Sequence, residues 1–117
     1  QIIICDRFVD STYAYQVYGK NVSKKFIDQI QKKILRKIKP DIVFILKVRA
    51  NSFLNRLKKR KVKNRYDNFP TKFYLKAQRA FTKIAKNKKN YIVLDSSKND
   101  AQVEKIILSI ILKRLAK

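Results

Sequence analysis

The chain has 117 residues, enough for one modest domain, and its 45% hydrophobic content permits a packed core. Its 30 Lys and Arg against 8 Asp and Glu give a formal charge of +22, which points either to an anionic partner (nucleic acid, nucleotide phosphates or an acidic membrane) or simply to the Lys-, Ile- and Asn-rich composition that AT-rich genomes encourage. No His, one Cys and one Gly exclude histidine catalysis, cysteine-built zinc sites, internal disulfides and a Gly-x-x-x-x-Gly-Lys-Ser/Thr phosphate loop.

Ile2 to Cys5 reads as a buried strand, short, β-branched and without alternation, with Cys5 as a small buried hydrophobe. A polar loop follows at Asp6, then a helical stretch from Ser11 to Tyr18 that Gly19 ends. Ser23 suits an N-cap, and Ile27, Ile30, Ile34 and Ile38 recur at helical spacing until Pro40 stops the helix. Ile42 to Val48 is the clearest strand. A helix from about Asn51 to Arg60 carries Phe53, Leu54 and Leu57 on one stripe. The basic stretch that follows reads as a loop. Pro70 opens a helix whose inner stripe is Phe73, Ala77, Ala80, Phe81 and Ile84. Tyr91 to Leu94 is a third strand. Asn99 or Asp100 caps a last helix with Val103, Ile106, Ile107, Ile110 and Ile111 inward. Apolar strands alternating with amphipathic helices predict an α/β layered fold with a parallel sheet.

Ligands of such sheets bind outside the carboxyl ends of the strands. Asp6 and Arg7 lie at one such end, and Asp95, Ser96 and Ser97 at another. Arg7 offers a planar fork suited to phosphate, and Asp6 can orient it or hold a metal-bound water; a structural ion pair is the plainer reading. Ser11 with Tyr15, and Thr12 with Gln16, are each one helical turn apart. Hydroxyls and an amide beside a ring suit a nucleobase and its sugar; helix capping and a packed tyrosine are the alternative. Arg56, Arg60 and Arg65, with lysines between them, can surround developing negative charge in phosphoryl transfer. Taken alone, a solvated basic face or a nucleic-acid patch is the plainer reading of them.

In this order, these residues resemble the bacterial thymidylate kinase family of P-loop nucleoside monophosphate kinases. The family's Asp-Arg-aromatic strand end and Ser-x-x-Ala-Tyr-Gln run match Asp6-Arg7-Phe8 and Ser11-Thr12-Tyr13-Ala14-Tyr15-Gln16. Lys39-Pro40-Asp41, Arg56-x-x-x-Arg60, Arg65 with Asp67, and Asp95-Ser96-Ser97 continue the similarity through the chain. Asn64 and Asp67 depart from the family's lid pattern, and Lys20 replaces an arginine.

The resemblance implies a P-loop NTPase-like three-layer α/β/α fold with a parallel sheet. The whole chain, 1–117, would be the C-terminal part of one kinase domain, with a lid at about 58–70. It implies transfer of a phosphoryl group from ATP to dTMP with Mg2+. Asp6, Arg7, Ser11, Thr12, Tyr15 and Gln16 would bind dTMP, Asp6 also supporting the metal through water. Arg56, Arg60, Asp95, Ser96 and Ser97 would lie around ATP, and Arg7, Arg60 and Arg65 would serve the chemistry. A homodimer is implied, with no membrane and no specific nucleic-acid partner.

The family's central strand would lie between Ile2–Cys5 and Ile42–Val48. It belongs to an N-terminal half that also carries the P-loop, and neither is present in this sequence. The absence of Met fits the same expectation of an N-terminally shortened chain. Alone, such a chain would fold marginally, bind ATP poorly and lack kinase activity. The single cysteine suits a reducing, cytoplasmic setting. The rival from another class is a basic nucleic-acid-binding domain, favoured by charge and by aromatics interleaved with Lys and Arg.

Overall fold

The computed structural model describes residues 1–62, 68–98 and 100–117. A short helix α1 (Val9–Thr12) runs without a break into a π-helical segment (Tyr13–Gly19). Then follow α2 (Lys24–Leu35), β1 (Val43–Lys47), α3 (Ala50–Lys59), α4 (Thr71–Ala85), β2 (Tyr91–Asp95) and α5 (Gln102–Leu115).

The sheet is a parallel pair, with Val43 opposite Tyr91 and Lys47 opposite Asp95. Two strands of the same direction need a long crossover, and α3 and α4 supply it. Side chains alternate across the strands. Val93 shares a cleft with Arg79, Thr82 and Ala85 of α4, whereas Ile42 and Ile92 share one with Ile110 of α5. The pair is therefore layered between helices, as expected from the alternation of elements. The Gln78 side chain of α4 accepts from the Val48 N–H at 2.9 Å, closing the first free donor beyond β1.

The centre of packing lies where the π-helical segment meets α4. Ala14, Ala77 and Ala80 are all but fully buried there, so the two backbones approach closely. Gly19 belongs to the same contact. Its φ is negative, so it does not close the helix as a left-handed cap. A Cβ at Gly19 would stand 2.7 Å from Cε2 of Phe73, and that close approach is what requires glycine.

Three expectations are corrected. Residues 2–5 form no strand; Ile2, Ile3 and Ile4 are 64%, 82% and 88% exposed, and Cys5 is exposed as well. An extended apolar segment becomes a strand only where a neighbour takes its backbone hydrogen bonds, and the described sheet, β1 with β2, offers it none. The second helix stops at Leu35, where Arg36 turns to φ 51°, so Ile38 lies outside it and Ile34 and Ile38 are exposed. Ser23 caps that helix as expected, accepting from the Phe26 N–H at 3.3 Å. Finally, the Ser11–Tyr18 helix is mostly π, so i→i+5 bonds replace the i→i+4 ladder, as in Lys20 N–H to Tyr15 C=O at 3.0 Å.

Candidate nucleotide site

The site residues fall in two groups, one directly after residues 2–5 and one at the carboxyl ends of β1 and β2. The first is the run from Asp6 to Gln16. Asp6 and Arg7 occupy an exposed bend, and Arg7 takes a left-handed backbone with φ 61°. The bend turns its guanidinium back over the ring of Tyr15, 5.4 Å from the centroid, as a cation–π contact. Tyr15 is held by Phe73 and Phe81 of α4, each with its ring centroid 5.9 Å away. Ser11, Thr12 and Gln16 are half-buried on the same continuous helix.

Further contacts fix this helix. Asp10 is buried and its Oδ2 accepts from the Tyr91 hydroxyl at 2.8 Å. Tyr13 donates to Asp28 of α2 at 2.5 Å, and Lys24 pairs with the same carboxylate at 2.8 Å. Burial first, then the Asp28 hydrogen bond, push the Tyr13 hydroxyl up to about 12. The hydrogen bond from Lys24, then that from Tyr13, hold the Asp28 carboxyl below its usual range.

The second group gathers at the ends of β1 and β2. Arg56 of α3 reaches across to donate through Nη2 to the carbonyls of Ser96 and Ser97, the latter at 3.1 Å. The Ser96 N–H donates to Lys47 C=O at 2.8 Å, and the Arg49 N–H donates to Ser97 Oγ at 2.9 Å. The Ser97 N–H donates to Asp95 Oδ1 at 2.9 Å. The Ser97 hydroxyl, then its N–H, hold the Asp95 carboxyl below its usual range, with Arg49 and Lys47 adding to the effect. Asp95, Ser96 and Ser97 thus form a turn tied to β1 and α3 at once. Arg60 ends α3 and is exposed, its N–H donating to Leu57 C=O at 3.3 Å. Arg65 and Asp67, within the 63–67 part of the basic lid stretch, lie outside the described residues.

An aromatic series connects the two groups through α4. Tyr15 meets Phe73, Phe73 meets Tyr74 at 5.7 Å, and Tyr74 meets Phe53 of α3 at 4.9 Å. Phe53 lies three residues before Arg56, and α4 carries both the ring that packs on Tyr15, Phe73, and the ring that packs on the arginine-bearing helix, Tyr74. Asp10, Tyr91, Arg49 and Gln78 are contributors that the sequence did not single out. Their partners lie 30 to 81 residues away, and nothing local in a sequence marks such pairs.

A family model for thymidylate kinase matches residues 1–107. The chain belongs to the thymidylate kinase family. It is 30% identical over 118 residues to the thymidylate kinase of Acholeplasma laidlawii (strain PG-8A), covering 98% of this chain and 58% of that one. To that of Wolbachia pipientis wMel it is 44% identical over 85 residues, 73% of this chain and 41% of the other. To that of Wolbachia pipientis subsp. Culex pipiens (strain wPip) it is 37% identical over 115 residues, 96% and 54% respectively. The chain spans about half the length of these curated thymidylate kinases. The family's fold is that of P-loop NTPases, and the parallel α/β layering agrees with it. Among the described residues, no helix is long and apolar enough to cross a membrane.

Proposed function

We propose that this chain supplies the acceptor-nucleotide half of a thymidylate kinase site, acting within a full-length enzyme that phosphorylates dTMP to dTDP with ATP. The observation that carries this reading is the Asp6–Gln16 run: a bend that brings Arg7 onto Tyr15, followed directly by a helix bearing Ser11, Thr12 and Gln16. Membership of the family supports it.

In this reading Arg7 binds the acceptor phosphate and Asp6 orients Arg7. Ser11 or Thr12, with Gln16, hydrogen-bonds the thymine edge. Tyr15, already braced by two phenylalanines, packs on the deoxyribose. A dTMP phosphate oxygen attacks the γ-phosphorus of ATP; the new P–O bond forms as the bond to the β–γ bridging oxygen breaks, leaving dTDP and ADP. Arg60 and Arg65 come from the lid to offset the charge spread over the transferring oxygens. Arg56 and the Asp95–Ser97 turn flank the adenine. The loop that cradles the donor phosphates is not among these 117 residues.

Mg2+ suits the donor set. No three carboxylates converge among the described residues, and this ion takes one or two carboxylates, substrate phosphates and several waters. Asp6 would support it through water, and the bound ion would neutralise phosphate charge. The reading extends to a homodimer in the cytoplasm, with neither a membrane nor a specific nucleic acid as partner.

Thermal unfolding with added dTMP tests the reading. dTMP raises the transition with the logarithm of its concentration, by about 2.7 kcal/mol of stability at a hundred times Kd, and Arg7→Ala abolishes the response. The charge of +22 favours a second reading, a nucleic-acid surface. Binding of random DNA that falls steeply with salt, with no response to dTMP, is the outcome that would establish it instead.

A further inference from the structure

The acceptor reading leaves one buried ionisable group unused. Asp10 is 7% exposed, the one charged residue among the buried described residues. Burying a carboxylate is costly unless a donor compensates it. Here the donor is the hydroxyl of Tyr91, at 2.8 Å and 81 residues further along the chain. Asp10 lies in the first turn of α1, immediately before Ser11 and Thr12, where a carboxylate also suits the helix N-terminus. Tyr91 is the first residue of β2, the strand that ends in the Asp95–Ser97 turn. Lys88 covers the Tyr91 ring at 4.4 Å, and burial with the Asp10 bond raises the hydroxyl's pKa, so Tyr91 keeps its proton as donor.

We infer that Asp10 is a positioning residue: its hydrogen bond from Tyr91 pins the acceptor-binding helix to the sheet and so sets where Ser11, Thr12, Tyr15 and Gln16 stand. The inference rests on the acceptor reading for its effect on dTMP, but its mechanical half does not. The geometry favours this role over mere capping. The α1 turn itself has no side-chain cap, with Phe8 at that position, so Asp10 is the polar tie between this turn and the strands.

The test uses the chain with Asp10→Ala, Asp10→Asn and Tyr91→Phe, and reads two quantities. The first is amide hydrogen exchange without ligand. Asp10→Ala and Tyr91→Phe each speed exchange across residues 11–19 by about tenfold, the effect of losing one hydrogen bond to a charged group. Protection in β1 and in the middle of α4 stays unchanged. Asp10→Asn, which keeps an acceptor oxygen in the same place, restores most of the protection. The double variant Asp10→Ala/Tyr91→Phe is no worse than either single one.

The second quantity is dTMP affinity, which falls about tenfold in Asp10→Ala and Tyr91→Phe and recovers in Asp10→Asn. Exchange that rises evenly over the whole chain, or not at all, overturns the pinning role. Selective exchange changes with dTMP affinity untouched overturn the positioning role. If the unaltered chain does not bind dTMP at all, the acceptor reading fails, and selective exchange changes would still establish the pin.

Discussion

Replacing Gly19 by alanine sets two effects against each other. In a helix interior, alanine is favoured over glycine by about 1 kcal/mol, and the backbone here has no positive φ to forbid a side chain. Sterics oppose this gain. The new methyl would stand 2.7 Å from Phe73 Cε2, 3.2 Å from its Cζ and 3.3 Å from the Ala14 carbonyl oxygen. Phe73 is hemmed in by Phe69 at 4.7 Å, Tyr74 at 5.7 Å and Tyr15 at 5.9 Å, so its ring cannot swing aside without disturbing them. Overpacking of this kind costs about 1–3 kcal/mol. The net expectation is a loss of up to about 2 kcal/mol. Urea unfolding followed by circular dichroism measures it as a lower midpoint with an unchanged slope. Gly19→Ala combined with Phe73→Leu recovers stability relative to Phe73→Leu alone, because the obstructing ring edge is gone. A Gly19→Ala chain as stable as the parent, or more so, would refute the close-approach argument.

Arg56→Ala leaves the Ser96 and Ser97 carbonyls without their cationic donor. It is expected to destabilise by about 1–3 kcal/mol and to open the Asp95–Ser97 turn to limited proteolysis; Arg56→Lys recovers only part, lacking the fork. Tyr13 keeps its proton to about pH 12 in the folded chain but to about 10 when unfolded. The unfolded state therefore binds fewer protons in that window, and stability present below pH 10 is lost as pH rises toward 12. Tyr13→Phe flattens that part of the profile, and equal slopes for both chains would count against the Tyr13–Asp28 bond. Ile3→Asn changes the unfolding free energy by less than about 0.5 kcal/mol, since Ile3 is 82% exposed. A loss of 2 kcal/mol or more, the scale of a buried side chain, would mean that residues 2–5 are packed after all.

The parts of the fold that a sequence declares locally were legible. The Phe53–Leu57 stripe, the Ala77–Ala80 face and the Ser23 cap follow from 3.6-residue periodicity and capping chemistry. The strands at 43–47 and 91–95 follow from short apolar, β-branched runs. Ile2 to Cys5 carries the same local signal and fails, because strand formation is settled by a neighbour that the segment itself does not encode. The π-helical segment at Tyr13–Gly19 has no compositional mark; it coincides with the close approach of Ala14 and Gly19 to α4.

The site divides in the same way. Ordered motif residues such as Arg7, Tyr15 and Gln16 could be named in advance. Arg56 on the Ser96 and Ser97 carbonyls and Asp10 on Tyr91 could not be paired, because each bond joins residues at least 40 positions apart.

The central claim is that the Asp6–Gln16 run holds dTMP. The most direct measurement is a dTMP titration of the isotopically labelled chain, followed residue by residue in NMR spectra. Saturable shifts are expected, centred on Arg7, Ser11, Thr12, Tyr15 and Gln16, absent in Arg7→Ala and unchanged by moderate salt. Shifts spread over the surface lysines and erased by salt, or no shifts at all, would contradict it.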